Sequence, residues 1–148
     1  MRITLAVDGS KFSNAAVQAV IAQAQPKVTE IRVLHVAELP TLLVIREMGG
    51  YDSTLDKACE AERKQAQGLV EKTVELLRSK GLKATGTVEE GDAKSKILEA
   101  AKDWPADLIV LGSHGRKGLE HFLMGSVSEA VARHAACSVE IVRIRSKP

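Results

Sequence analysis

The residue types with the clearest chemistry lie in two glycine-containing segments near the end of the chain, Gly112–Gly115 and Gly125–Ser128. Glycine lets a backbone bend close to a ligand, because no Cβ blocks the approach. The backbone N–H groups at Gly125 and Ser126, the hydroxyls of Ser126 and Ser128, and the positive end of a following helix would together hold an anion. This combination suits a polyphosphate, although it is neither a Walker A loop nor the Gly-x-Gly-x-x-Gly dinucleotide fingerprint.

The same segments also have a purely structural interpretation. Glycines after a buried strand are often turn residues. Ser126 and Glu129 have the Ser-x-x-Glu spacing of a capping box, which starts a helix without any ligand. Taken by themselves, these residues leave both phosphate binding and a structural turn open.

The elements that must position these segments can be read from the hydrophobic pattern. Short apolar runs predict strands, and the longer stretches rich in helix formers between them predict helices. The predicted strands cover residues 3–7, 31–36, 84–88, 108–111 and 139–144, and the predicted helices cover residues 15–24, 59–78, 94–101 and 127–135. The uninterrupted Leu108–Leu111 run is typical of a central parallel strand, whereas the alternating Thr85 and Thr87 indicate an edge strand. This order predicts an α/β fold with a doubly wound parallel sheet.

The predicted fold also says where a ligand should bind. In an open parallel sheet, ligands bind outside the carboxyl ends of the strands, at the point where the strand order reverses. Residues 8–10, 36–38 and 91–92, and the chain from Gly112 onward, follow the predicted strands at that end. Asp92 further suits the N-cap of the third helix, and Gly81 suits the end of the second. His35, inside an apolar strand, is predicted to be a hydrogen-bonded core residue.

Composition argues against several other classes of function. A chain of 148 residues with 45% apolar and 27% charged residues predicts one globular domain over residues 1–148. A net charge of +2, with one Trp, one Tyr and two Phe, argues against a nucleic-acid partner. Two cysteines are too few for a disulfide framework or a zinc module. No leader-like or long apolar run is present, so we expect a cytoplasmic protein without a membrane partner.

The spacing of the glycines resembles a known signature. Gly112-x2-Gly115-x9-Gly125-Ser126 fits, without a gap, the Gly-x2-Gly-x9-Gly-Ser/Thr motif of the ATP-binding branch of the universal stress protein (UspA-like) family. The resemblance covers the whole chain and includes the strand ends at Val7–Ser10, Val33–Val36 and Leu108–Gly115. It implies a three-layer α/β/α, Rossmann-like domain of the adenine nucleotide alpha hydrolase-like type. The five parallel strands would follow the order 3-2-1-4-5, and the last strand would usually form a homodimer.

The resemblance also implies roles for individual residues. Asp8 would lie near the ribose and phosphates of ATP, where a Mg²⁺ or Mn²⁺ ion can accompany the nucleotide, and Val36 would contact adenine through its backbone. Ribose and phosphates would be held by Gly112, Ser113, His114, Gly115, Arg116, Gly125, Ser126, Val127 and Ser128. An adenine held by main-chain groups and aliphatic walls is consistent with so few aromatic residues.

Two features near the predicted last strand depart from the family pattern. Cys137-Ser138 replaces a proline that many relatives have before this strand, and Glu140 stands where an apolar residue is usual. An antiparallel self-pairing centred between Ile141 and Val142 would place Glu140 opposite Arg143, which is an opposite-charge cross-strand pair.

Other residues weigh less in the functional hypothesis. Residues 39–53 are long for a connection and are predicted to form a packed element or partner surface, or else a substrate lid. His114 is the most tempting general acid or base, but no nucleophile, paired carboxylates or metal-binding spacing accompanies it, so we predict no catalytic residue.

The leading hypothesis is therefore an ATP-binding stress protein that acts as a nucleotide-dependent regulatory module with a protein partner still to be identified. Hydrolysis should be slow or absent, because no evident base or arginine finger is present. Two alternatives stay open: a metal-dependent nucleotide phosphohydrolase or transferase that uses Asp8, and a dimeric interaction protein that binds no nucleotide.

Overall fold

The structure, a computed structural model, describes residues 1–38, 53–115 and 124–145. In these ranges the strands are β1 (Arg2–Ala6), β2 (Glu30–Ala37), β3 (Lys83–Glu90), β4 (Leu108–Gly112) and β5 (Ser138–Val142), and the helices are α1 (Lys11–Gln23), α2 (Ser53–Ser79), α3 (Ala93–Asp103) and α4 (Ser126–His134). Each strand and helix predicted from the hydrophobic pattern is confirmed, with ends that differ by a few residues.

The strands form one parallel sheet in the order β3-β2-β1-β4-β5. Ile3 of β1 pairs with Ile31 of β2 on one side and with Leu108 of β4 on the other. The predicted fold class and strand order are confirmed, and β3, with its alternating threonines, is an edge strand as predicted. The order reverses between β1 and β4, so the carboxyl ends of these two strands mark the expected ligand position.

Helices cover both faces of the sheet because its inner strands are apolar on both faces. Side chains that alternate along a strand point to opposite faces. On one face Leu5 and Val33 pack with Val20 of α1 and Leu77 of α2. The apolar residues of the other core, which faces α3 and α4, are Ala6, Leu34, Ile97, Ala101, Ile109, Leu111 and Val131. Each fully buried valine, leucine or isoleucine side chain contributes about 1.5–3 kcal/mol to the stability of the fold.

Two side chains fix where two of the helices begin, and one glycine marks where another ends. Ser10 Oγ accepts a hydrogen bond from the Ser13 N–H at 3.1 Å and so caps α1. The predicted N-cap at Asp92 is confirmed, since its carboxylate accepts from the Ser95 N–H at 3.3 Å. Gly81 ends α2 with a φ of 81°, as predicted for a helix C-terminus.

The predicted capping box of the last helix is wrong. Gly125 is the N-cap of α4, in an extended conformation with φ −74° and ψ 161°, and Ser126 is already helical. The Gly125 N–H donates to the Ser113 carbonyl at 2.7 Å, which holds this residue extended and starts the helix one position early. Glu129 instead accepts a hydrogen bond from Arg133 at 2.9 Å.

Some predictions lie outside the described residues. The predicted role of residues 39–53 concerns a segment of which Ser53, the first residue of α2, is described. The predicted phosphate contact of Arg116 also lies outside these ranges.

Candidate functional site

A cavity of about 540 Å³ opens at the carboxyl ends of β1, β2 and β4. Its volume is within the range of small-molecule sites, about 300–1,000 Å³. The predicted site residues that line it are Asp8, Val36, Gly112, His114, Gly115, Gly125, Ser126, Val127 and Ser128. Because β1 and β4 are neighbours at the switch point, segments that are about a hundred residues apart in sequence meet in one cavity.

Hydrogen bonds of the β1–α1 turn hold Asp8 at the cavity wall. Its Oδ1 atom accepts from the Ser10 N–H at 2.9 Å, and its own N–H donates to Ser13 Oγ at 3.2 Å. Gly9 has a φ of 81°, a conformation that favours glycine. A Cβ added to Gly115 would lie 3.2 Å from Asp8 Oδ2. The first turn and the first glycine segment therefore touch at this carboxylate.

Two hydrogen bonds to one carbonyl tie the two glycine segments together. The Gly125 N–H and the Ser128 hydroxyl both donate to the Ser113 carbonyl, at 2.7 and 2.9 Å. The Ser128 oxygen also lies 3.0 Å from the Gly125 carbonyl, and its side chain is buried. The sequence analysis assigned the Ser128 hydroxyl to an anion, but its proton is directed at main-chain carbonyls. Ser128 thus holds the shape of the site, as a residue of the α4 N-terminus.

The start of α4 leaves main-chain donors open to the cavity. Gly125 offers no side-chain cap, unlike Ser10 of α1 and Asp92 of α3. Within the described ranges, no hydrogen-bond acceptor faces the N–H groups of Ser126, Val127 and Ser128. These donors and the helix dipole, which places about half a positive charge at the N-terminus, favour an anion.

Ser113 and His114 form a small polar cluster within the first glycine segment. Ser113 is buried, and its Oγ atom lies 2.9 Å from His114 Nδ1. The His114 ring stacks at a tilt on Phe12 of α1, with 4.9 Å between ring centroids. These contacts orient the imidazole beside the cavity and link it to the first turn of α1.

The opposite side of the cavity, beyond β1, is mainly aliphatic. Val36 lines it together with the side chains of Leu34, Ile97 and Leu111. His35 also lies here, and its Nδ1 atom donates to the Val7 carbonyl at 2.7 Å, so the predicted hydrogen bond is confirmed, although the ring is only half-buried and reaches the cavity.

Two acidic residues at this side extend the predicted site. The Glu38 carboxylate accepts from the Ala93 N–H at 3.0 Å, at the start of α3. Glu62 of α2 also lines the cavity, although the sequence pattern named no site residue on this helix. No local pattern could have identified Glu62, because only the packing of α2 on β2 and β3 brings it to the cavity.

The described residues offer few ligands for a metal ion of their own. In the parts of the chain that the structure covers, no group of three His, Cys, Asp or Glu side chains could hold a metal ion. Asp8 supplies a carboxylate oxygen, which is a type of ligand that Mg²⁺ prefers. Asp8 fits an ion that takes its remaining ligands from a nucleotide and water. None of the described helices is long and apolar enough to cross a membrane.

The sheet order and the cavity at the switch point define a doubly wound, Rossmann-like α/β protein. The sequence profile of the Universal stress protein family matches residues 1–143. Universal stress protein YxiE of Bacillus subtilis (strain 168) is 30% identical over 146 residues, which cover 96% of this chain and 98% of the relative. The chain therefore belongs to the universal stress protein family.

Solved structures agree with this assignment. Hypothetical protein MJ0577 superposes with a TM-score of 0.85 at 25% identity, covering 99% of this chain and 97% of that one. A universal stress protein family protein from Arabidopsis thaliana, with AMP bound, has a TM-score of 0.72 at 19% identity and covers 99% and 93%. A universal stress protein in complex with cAMP has a TM-score of 0.65 at 20% identity and covers 97% and 96%. The last two share the fold with this chain.

Proposed function

We propose that this protein binds an adenine nucleotide, ATP in particular, in the cavity at the carboxyl ends of β1, β2 and β4. In this proposal it acts as a nucleotide-dependent regulatory module in a stress response. AMP and cAMP are bound by two proteins of the same fold, which supports an adenine nucleotide as the ligand class.

The observation that carries the proposal is the uncapped start of α4. Residues 126–128 line the cavity, and no described acceptor satisfies their N–H groups. Hydrogen bonds from main-chain donors to a charged acceptor contribute about 1.5–3 kcal/mol each. A phosphate group would satisfy these donors and complement the positive helix end.

The charges around the cavity would orient the nucleotide. Phosphates would lie at Gly125–Ser128, next to β4, whereas the base would lie against Val36 and the aliphatic side chains next to β2. The carboxyl groups of Glu38 and Glu62 line the β2 side, where they would repel phosphates. The side next to β4 thus suits the charged phosphates of a nucleotide, and the side next to β2 suits its base.

The proposal assigns Asp8 to a Mg²⁺ or Mn²⁺ ion that arrives with the nucleotide. Such an ion would neutralise part of the phosphate charge. Asp8 would hold it from the protein side, and its Oδ1 is kept in place by the Ser10 N–H. Hydrolysis is expected to be slow or absent, because positioning groups alone do not activate a water molecule.

The proposed module includes a homodimer through β5 and an unidentified protein partner that responds to the bound nucleotide. β5 is an edge of the sheet, so its outer main-chain groups are available for pairing. Glu140 of this strand now accepts hydrogen bonds from Gln23 Nε2, at 2.7 and 2.9 Å. Self-pairing with Arg143 would compete with this contact.

Ser126→Pro tests the proposal because it removes one main-chain donor while the helix can still start. Proline is favoured at the first helical position, and the extended conformation of Gly125 is the one that a residue before proline adopts. We expect calorimetric titration with ATP and Mg²⁺ to show that Kd increases about tenfold or more.

Ser126→Ala is the matched control, since it removes the hydroxyl and keeps the N–H group. We expect its Kd to stay within about threefold of the wild type, as suits the loss of an exposed hydroxyl. Gly125→Ala, whose Cβ would lie 3.1 Å from the Ser113 carbonyl oxygen, should also weaken binding by moving the loop. A folded wild type that binds neither ATP, ADP nor AMP would overturn the proposal, as would unchanged binding by Ser126→Pro.

A further inference from the structure

A second cavity lies at the amino ends of the strands, at the end of the sheet opposite to the proposed nucleotide site. Its volume is about 410 Å³, and it is lined by Met1, Arg2, Lys27, Val28, Thr29, Glu30, Lys83, Pro105 and Asp107. β1 begins at Arg2 beside this cavity and ends two residues before Asp8 of the other, and Arg2 and Asp8 are roughly 20 Å apart at about 3.3 Å per residue. β1 therefore connects the two cavities, but no residue lines both of them.

An aromatic ring beside this second cavity holds two guanidinium groups. The Arg32 guanidinium carbon lies 4.6 Å from the centroid of Trp104, and that of Arg2 lies 5.5 Å from it. Trp104 is the C-cap of α3 and is followed by Pro105, so its backbone is fixed at a helix end. Stacking on a ring orders an arginine side chain before any ligand arrives, which lowers the entropic cost of binding.

The charges at this cavity are unbalanced. Lys27, Lys83 and Arg2 line it with the amino group of Met1, against two carboxylates. One of these, Asp107, already accepts from the Arg2 N–H at 2.7 Å. The amino group of Met1 donates to the Val28 carbonyl at 2.6 Å.

The two arginines stack on Trp104, but the cationic side chains lack hydrogen-bond and ion-pair partners among the described residues. In the described part of the chain, Arg2, Lys27, Arg32 and Lys83 form no side-chain hydrogen bond or ion pair with another residue. Arg78, at the same end of the molecule, differs in that it donates to the Ala84 carbonyl at 2.9 Å. Unlike Arg78, the four cationic side chains at the cavity therefore do not bind a main-chain carbonyl group of the described residues.

We propose that this cavity is a second ligand site, for a small anion with two or more negative charges of the phosphate type. A guanidinium group donates parallel hydrogen bonds that match a phosphate, and the neighbouring lysines add charge without a fixed geometry. The size of the cavity suits a small molecule rather than a protein domain. This site is independent of the nucleotide proposal, since none of its residues lines the first cavity.

Trp104 is the single tryptophan of the chain, so its fluorescence reports directly on this cluster. We expect pyrophosphate, titrated at constant ionic strength, to produce a saturable change in Trp104 emission. Arg2→Gln removes the guanidinium group that lines the cavity and should raise the Kd at least tenfold. Arg32→Gln, on the same tryptophan ring, is a second variant in case the first does not fold, and Lys102→Gln, an exposed lysine two residues from Trp104, is the control that should bind as the wild type does.

The Ser126→Pro variant separates the two sites. Its Trp104 response to pyrophosphate should equal that of the wild type, whatever happens to ATP binding. A response that does not saturate, or that is the same in Arg32→Gln, Arg2→Gln and the wild type, would overturn the proposal. Binding of a hexaglutamate peptide but not of pyrophosphate would also overturn it and would assign this surface to an acidic protein segment.

Discussion

At the scale of single residues, Gly112 has to be a glycine because the backbone of α1 packs closely against it. A Cβ at this position would lie 2.6 Å from the carbonyl carbon of Phe12 and 2.7 Å from its oxygen. Its φ is not positive, so the requirement comes from the close approach of α1 to the end of β4. The residue pattern left both a ligand and a structural turn open as reasons for this glycine, and the structure shows the start of α1 against it.

Gly112→Ala should therefore lower the free energy of unfolding by about 1–3 kcal/mol, the usual cost of overpacking, because backbone atoms have to move. Gly68→Ala is the matched control. Its added Cβ would meet nothing within 4 Å on an exposed position of α2, so we expect a gain of about 0.8–1.0 kcal/mol. Urea unfolding of both variants measures the two effects. Equal and small changes at the two positions would contradict this account.

At the scale of the element, the helices differ in how their first turns are satisfied. Asp92 caps α3 with its own side chain, whereas α4 begins at Gly125 and has no side-chain cap. The Ser95 side chain, which donates to Asp92 Oδ2 at 2.6 Å, lowers the pKa of the Asp92 carboxyl group, and Lys94 adds to this effect.

A lowered pKa in the folded state gives a defined pH dependence. The ionised Asp92 stabilises the folded state at pH values above the unfolded pKa of about 3.9, and this contribution disappears as the pH falls through the folded pKa. Asp92→Asn should therefore be less stable than the wild type at pH 7 and approach it as the pH falls below about 4. Urea unfolding at several pH values measures the difference.

Asp103→Asn, at the other end of α3, is the control for the loss of a charge. A carboxylate in the last turn opposes the helix dipole, so this variant should be as stable as the wild type or slightly more stable at pH 7. The same stability deficit of Asp92→Asn at acidic and neutral pH would show that the charge of Asp92 does not contribute.

At the scale of the whole molecule, the proposed dimer depends on one edge of the sheet. An antiparallel pairing of β5 with its copy would place two Glu140–Arg143 pairs across the symmetry axis. Arg143→Glu would turn both pairs into like-charge pairs. Each pair would weaken the free energy of dimerisation by up to about 1 kcal/mol. We expect the dimer Kd in sedimentation velocity to rise about fivefold or more.

Arg145→Glu reverses a neighbouring charge and serves as the control, because residue 145 would lie opposite Ser138 in this pairing. Its dimer Kd should stay close to that of the wild type. A protein that stays monomeric at all concentrations, or an Arg143→Glu dimer as stable as the wild type, would show that β5 does not pair in this way.

Sequence reasoning predicted most of the fold and which end of the sheet holds the cavity. Apolar periodicity identified each described strand and helix, and the rule for open parallel sheets selected the end of the sheet at which Asp8, Val36 and the glycine segments now line one cavity. The strand order came from the family resemblance, and the structure confirms it. The capping box at Ser126 was wrong, because a hydrogen bond from Gly125 to a loop twelve residues earlier moved the helix start.

The sequence by itself determined which segments are strands and helices, because burial on one face or two leaves a periodic signal in neighbouring residues. Only the tertiary structure decided which distant residues meet. Glu62 reaches the cavity at the carboxyl ends of the strands through the packing of α2, and Arg2, Arg32 and Trp104 converge from three elements at the opposite end. Such contacts depend on strand register and helix placement, which involve the whole core and leave no mark in the spacing of the residues concerned.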